Sequence, residues 1–330
     1  MAQQDKVANL SITVPNFRVL CGSSESEQRG VQDGVIYRSS RPDFLTEQEL
    51  LAFRNLSIRS IIDFRSRKEY MASSSEGNHV LDKEYDLLQV KLPRGRNYYH
   101  DEPVQLKLLQ TASAVSDRPR RHYLINFFTM NYIWTVFNRA PWYIRLYSCI
   151  LLLVDYIFNT GYKYFVRLFA RTTLNRTGLI GQYKDIVEHS QKSICAALKL
   201  LSAKNNLPAL INCAHGKDRT GIVSALVLSC LGKTAEYIAE EYALSSEGLA
   251  PVQSRVKAEV IERYHMCEEF IKADASTMLE LFEYIQNRYG STKNYLEYIG
   301  FGAREQEVLR LNLKEVEDGE KDDDDDFSEN

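Results

Sequence analysis

No two of the six cysteines, at 21, 149, 195, 213, 230 and 267, stand in Cys-x-x-Cys or metal-ligand spacing, so neither a redox pair nor a zinc site is encoded. The first residues, with Gln3, Gln4, Asp5 and Lys6 ahead of Val7, lack a secretory-signal pattern. Both absences favour a reduced, cytoplasmic setting. Basic charge is not in surplus either: 41 Lys and Arg against 44 Asp and Glu leave a formal net charge of -3, which offers no footing for nucleic acid. Long apolar runs are missing too. In the most hydrophobic stretch the longest uncharged run, Leu146 to Val154, is nine residues between Arg145 and Asp155. A membrane span needs roughly 18. No metal and no cofactor is expected.

What is present is an ordinary globular composition, 44% hydrophobic and 26% charged, on a chain of 330 residues, enough for one large α/β domain. The most informative stretch runs from Pro208 to Leu231. Ala209, Leu210 and Ile211 form a short apolar run, as in a buried strand, and Ile222 to Leu231 has the composition of a buried helix. Between them lies Cys213-Ala-His-Gly-Lys-Asp-Arg219-Thr-Gly221, with five residues separating the cysteine from the arginine. A loop of that length curls so that successive N–H groups point inward, forming an anion nest capped by a helix N-terminus. Gly216 and Gly221 supply the backbone freedom.

The chemistry follows from that curl. Inward N–H groups and a helix start favour a thiolate, which makes Cys213 the expected nucleophile. Arg219 offers a planar fork to two equatorial oxygens of a phosphoryl group. Ala214, His215, Gly216 and Lys217 line the nest as substrate-binding positions, with His215 alternatively a solvent-facing loop residue. Thr220 can donate its hydroxyl to the sulfur as it leaves. Attack on a phosphate ester gives a phosphocysteine, which water hydrolyses. The competing reading is a non-catalytic phosphate-binding module that keeps the nest without turnover.

The string Cys-Ala-His-Gly-Lys-Asp-Arg-Thr-Gly resembles the atypical, bacterial-type branch of the protein-tyrosine phosphatase superfamily, whose loop reads His-Cys-x-x-Gly-Lys-Asp-Arg-Thr-Gly. The likeness extends to Tyr-Arg-Ser-Ser-Arg-Pro at 37–42, Ile-Ile-Asp-Phe-Arg-Ser at 61–66 and Glu-Tyr-Ala-Leu-Ser at 241–245. One departure is clear: Asn212 precedes the nucleophile where the pattern has His. The resemblance implies an α/β fold with a central sheet flanked by helices and a helical insertion. It also implies tyrosine or dual-specificity phosphatase activity, or action on phosphoinositides at a membrane. Many relatives protonate the leaving oxygen from an aspartate in a Trp-Pro-Asp loop, a tripeptide absent here. The resembling branch instead carries an aspartate within the loop, matching Asp218, which becomes acid in the first step and base in the second. The alternative is that Asp218 only neutralises Lys217 or Arg219. Lys217 adds positive charge that suits substrates with more than one phosphate.

Along the chain, Phe17 to Leu20 and Val35 to Tyr37 read as strands, and Gly22 to Gly34 as a loop. Thr46 and Glu49 form a capping box, Ile58 to Phe64 is a buried strand, and Tyr85 to Leu92 another. Asp63 to Arg65 falls at a strand's carboxyl end, where ligands of open α/β sheets bind. Asp63 is expected to orient the loop or its water and Arg65 to contact substrate; the alternative is a surface ion pair among Asp63, Arg65 and Arg67. One helix is expected to carry Tyr183 through Leu201, with further helices at Ala235–Leu244, Ser254–Ile271, Met278–Tyr289 and Arg304–Val316. The phosphatase domain is set at 1–314, and 315–330, with five aspartates at 322–326, as an acidic disordered tail.

An insertion at about 118–171 crowds Tyr, Phe, Trp, Ile and Leu with basic residues. Three readings stand: a helical lid over the site, an interfacial anchor through 121–170 that meets a membrane surface, or core helices of a larger domain. Phosphoprotein and phosphoinositide are the candidate substrates.

Overall fold

Side chains alternate between the two faces of a strand, and the short apolar strands of this chain use both faces. The computed structural model describes residues 14–20, 35–43, 45–73, 80–92, 107–110 and 120–313, so the loop at 22–34 and the tail at 315–330 lie outside the described residues. Among the described residues the strands are β1 (Arg18–Val19), β2 (Ile36–Ser39), β3 (Ser60–Asp63), β4 (Asp86–Lys91), β5 (Lys107–Gln110), β6 (Arg121–Leu124) and β7 (Ala209–Asn212). They pair in the order β1-β2-β7-β3-β6-β4-β5. The five inner strands run parallel and the two edge strands antiparallel. Ile36, Ile62, Ala209 and Ile211 enter the larger core, while Tyr37, Ile61 and Leu210, one position off, enter a smaller one. Burial on both faces explains why these strands read as continuous apolar runs.

Helices α1 (Glu47–Asn55) and α2 (Arg67–Ala72) follow β2 and β3, and α3 (Met130–Arg139), α4 (Trp142–Ile157) and α5 (Lys163–Phe169) follow β6. Next come α6 (Asn175–His189), α7 (Gln191–Ser202) and, beyond β7, α8 (Asp218–Cys230). The last described helices are α9 (Ala235–Leu249), α10 (Gln253–Lys257), α11 (Ala275–Tyr289), α12 (Thr292–Tyr298) and α13 (Ala303–Leu313). The Thr46/Glu49 capping box is present, both bonds made. An α/β fold with a central sheet flanked by helices is therefore the architecture.

Register decides where the site lies. Ser39 and Asp63 both stand opposite Asn212, so β2, β3 and β7 end at one level. Their next residues, Ser40, Phe64 and Cys213, leave the sheet together.

Three expectations need correction. Arg121–Leu124 is an inner strand between β3 and β4, so the helical insertion begins only at Met130; the basic and aromatic crowding of the segment hid a strand of four residues. The helix expected over Tyr183–Leu201 breaks at Ser190, whose hydroxyl donates to the Phe127 carbonyl, while Thr129 donates to the His189 carbonyl. The exit of β6 thus pins the break. The helix expected over Ser254–Ile271 stops before His265, which sits at φ 59°. There Asn175 Nδ2 donates to the His265 carbonyl at 3.0 Å and its Oδ1 accepts the Cys267 N–H at 3.0 Å. A side-chain amide that satisfies both groups substitutes for the next helical turn. Asn175→Ala is expected to cost about 1–2 kcal/mol in urea unfolding and to speed amide exchange at Cys267; unchanged exchange there would contradict the pinning.

Candidate active site

The loop Cys213–Lys217 joins β7 to α8, and its outer side is held by three donors. Asn16 Nδ2 donates to the carbonyls of His215 and Gly216 at 3.2 and 3.0 Å, Arg38 Nη2 to that of Gly216 at 2.8 Å, and the Arg41 N–H to that of Ala214 at 3.3 Å. A trans peptide sets its N–H opposite its C=O. The N–H groups of His215, Gly216 and Lys217 therefore face away from those donors, as an anion nest requires.

Gly216 is obligatory in this arrangement. Its φ is +66°, and a Cβ built there would stand 2.1 Å from the Ser39 carbonyl oxygen. Gly221 permits close packing instead, since a Cβ would fall 2.9 Å from the Tyr242 ring. Arg38 itself is fully buried and neutralised by Glu241 at 2.5 Å, which also takes Arg18 at 2.8 Å. The Tyr-Arg-Ser-Ser-Arg-Pro and Glu-Tyr-Ala-Leu-Ser segments thus converge as the outer brace of the loop.

Cys213 is buried at the strand end, on α8's N-terminal side. Arg219, in the first turn of α8, is buried and donates through Nη1 to the Phe64 carbonyl at 2.9 Å and to Glu69 at 3.0 Å; its guanidinium lies 4.7 Å from the centre of the Phe128 ring. Burial alone would lower its pKa, but Glu69 and the Cys213 sulfur raise it above the ordinary arginine value. Glu69 also accepts the Ser66 N–H in the capping box that starts α2. The sequence reading passed over Glu69, although Ser66-x-x-Glu69 is the spacing that marks such a box.

Lys217 is buried with its Nζ 2.7 Å from the Lys272 carbonyl and 2.9 Å from Asp218 Oδ1. Tyr183 donates its hydroxyl to the same oxygen at 2.8 Å and meets the Tyr242 hydroxyl at 2.7 Å. Burial pushes the Asp218 carboxyl up, yet Lys217 and Tyr183 outweigh it and hold the pKa below the ordinary aspartate value. Tyr183 was legible only as a core position on its helix stripe. His215 pairs with Glu259 at 2.9 Å, and Arg41 pairs with the other oxygen of that carboxylate. Burial opposes ionisation there, but His215 and Arg41 bring Glu259 down to about 2. Thr220 is fully buried, and its hydroxyl has no hydrogen-bond partner among the described residues. Both polar atoms of the Asn212 side chain are likewise buried and unpartnered there.

Asp63 and Arg65 stand at the end of β3, the neighbour of β7, and their side chains turn to Asp43, His122 and each other. Arg65 gives all five donors to Asp43, Asp63 and Ser73, which leaves none for a substrate; the expectation that it binds one is corrected. The pair is buried, not at the surface. Asp63 lies against Arg65 and, at 3.4 Å, His122. Burial disfavours its charge, and Arg65 with His122 overturns this, holding the carboxyl far below the usual range. The segment reaches the loop through its backbone: the Phe64 N–H donates to the Asn212 carbonyl at 2.8 Å and the Phe64 carbonyl receives Arg219.

Cys213 at the end of β7 and Arg219 in the first turn of α8 are thus joined by a loop whose three pinned carbonyls turn outward. The profile of the tyrosine phosphatase family matches residues 11–315, and the chain belongs to that family. It is 32% identical over 75 residues to the triple specificity protein phosphatase PtpB of Mycobacterium tuberculosis, 23% of this chain and 26% of that protein. It is 26% identical over 144 residues to a tyrosine-protein phosphatase of Nostoc commune, 40% of this chain and 47% of that one. The chain thus aligns with about a quarter and about half of the length of these curated relatives.

Gly216→Ala is expected to weaken tungstate binding at least about tenfold, about 1.4 kcal/mol by titration calorimetry, because the loop must shift off Ser39. Wild-type affinity in a folded variant would contradict that packing.

Proposed function

We propose that this chain is a cysteine-dependent phosphatase that hydrolyses phosphate monoesters on tyrosine or dual-specificity protein substrates through a phosphocysteine intermediate. The observation that carries the reading is the outward pinning of the Ala214, His215 and Gly216 carbonyls above Cys213, with Arg219 braced by Glu69. Arg219 grips two phosphoryl oxygens, and the inward amides take up charge that develops on the others in the transition state. The Cys213 sulfur attacks phosphorus, the ester P–O bond breaks, and the leaving oxygen takes a proton from Asp218. Water then attacks the phosphocysteine, Asp218 accepts its proton, and sulfur leaves with a hydrogen bond from the Thr220 hydroxyl.

Asp218 has to be protonated for the first step, yet Lys217 and Tyr183 favour its carboxylate in the free site. A dianionic phosphate bound next to it raises its pKa, since like charges disfavour ionisation. The carboxylate of the free site is already the form the second step uses.

A phosphoinositide reading is favoured by one observation, the buried Lys217 ammonium within the loop, which adds a cation for a second phosphate. The outer brace would serve a purely binding module equally; what favours turnover is Cys213, Arg219, Thr220 and Asp218 occurring together.

Cys213→Ser is expected to abolish hydrolysis of an aryl phosphate while tungstate still binds. Asp218→Asn should slow poor leaving groups far more than activated ones; equal losses on both would assign it a structural part. Tyr183→Phe removes a hydrogen bond that favours the carboxylate, so the pKa of Asp218 rises. The limb of the pH–rate profile that Asp218 governs should then move to higher pH, and an unmoved limb would remove Asp218 from proton transfer.

A further inference from the structure

Helix α4 is amphipathic the wrong way round for a helix packed in water. Its buried positions hold Ser148 and Asp155, two turns apart. Asp155 receives the N–H groups of Tyr164 and Phe165 at 3.1 and 2.8 Å and so ties α4 to the start of α5, and the Ser148 hydroxyl donates to the Arg145 carbonyl at 2.7 Å. The opposite stripe is Leu146, Ile150, Leu153 and Ile157, at 64%, 56%, 58% and 63% exposure. Trp142 and Tyr156, 70% and 83% exposed, extend the stripe with aromatic rings that carry a polar edge. A soluble surface rarely leaves a contiguous apolar patch of this kind uncovered.

Charge identifies what covers it. The chain carries a net charge of -3, yet residues 130–181 contain Arg139, Arg145, Lys163, Arg167, Arg171 and Arg176 against a single acid, the buried Asp155; of the six bases Arg139 is taken by Asp185. An apolar and aromatic face set among cations matches the interfacial zone of an anionic bilayer, where acyl chains take the apolar side chains and headgroups take the bases. Among the described residues no helix is long and apolar enough to cross a membrane, so the fit is to lying in the interface. The segment approaches the site on one side: the Tyr162 ring lies 3.5 Å from Nζ of Lys68, the neighbour of Glu69.

We propose that α4 docks the chain on an anionic lipid surface, its Leu146–Ile157 stripe in the acyl boundary. The docking does not rest on the phosphatase reading. Both tryptophans of the chain, Trp134 and Trp142, lie in this segment, so their fluorescence reports it directly.

The test uses the full chain with vesicles of phosphatidylcholine alone and of equimolar phosphatidylcholine and phosphatidylserine, read by flotation and by tryptophan emission. Expected are flotation with the anionic vesicles and a blue-shifted emission, about tenfold weaker binding to the neutral ones, and weakening by salt. A variant carrying Leu146→Glu, Ile150→Glu and Leu153→Glu, all at exposed positions, should lose flotation while it keeps its melting temperature and aryl phosphate turnover. The proposal falls if the wild type does not float, if it binds both vesicles equally, or if the triple variant floats as well. It also falls if sedimentation reveals a dimer that the triple variant abolishes, which would assign the face to a second copy. Flotation without aryl phosphate turnover would instead sink the enzymatic reading and leave the docking intact.

Discussion

The structure turns on the direction of three peptide carbonyls. A loop that presents its N–H groups to an anion must turn its C=O groups the other way, and buried carbonyls need donors. Asn16 and Arg38 are the donors for His215 and Gly216, and the Arg41 amide serves Ala214. Each donor has further requirements. Arg38 is a buried cation, so Glu241 must accompany it, and Glu241 in turn stands between Arg38 and Arg18. The close approach of Ser39 to Gly216 leaves no room for a side chain. The first strands, the loop and α9 are therefore one bonded unit that holds these three carbonyls outward.

Buried charge follows the same logic on the inner side. Lys217 and Arg219 would each be strongly disfavoured if left alone at this depth. Asp218 answers the first and Glu69 the second. The partners come from the start of α8 and from α2, so the electrostatics of the site depend on β3 and α2 being set beside β7. The buried Asp43–Arg65–Asp63 cluster at the end of β3 fixes that placement, and this explains why a conspicuous Asp and Arg lie near the site without entering it.

Much of this was legible in the sequence where local rules govern. The strand before Cys213, the buried helix after Arg219 and the Thr46 capping box were read correctly, because an apolar run and a cap depend on neighbours in the chain. Features set by distant partners were not legible. The breaks at Ser190 and before His265 are made by Phe127 and Asn175, far away in sequence. β6 was lost inside an aromatic, basic segment, since Arg121-His-Tyr-Leu is not an apolar run like the equally short β7. Glu69, Tyr183 and Asn16 look like a cap residue, a core residue and a loop residue until the fold brings them to the site.

The central claim is that Cys213 lies under a ring of amide hydrogens closed by Arg219. A crystal structure of the wild-type protein soaked with tungstate tests it most directly. The account predicts the oxyanion directly above the Cys213 sulfur, with hydrogen bonds from the backbone amides of residues 214–219 and two from the Arg219 guanidinium. Tungstate bound elsewhere with this loop empty, or bound here with the loop carbonyls turned inward, would contradict it.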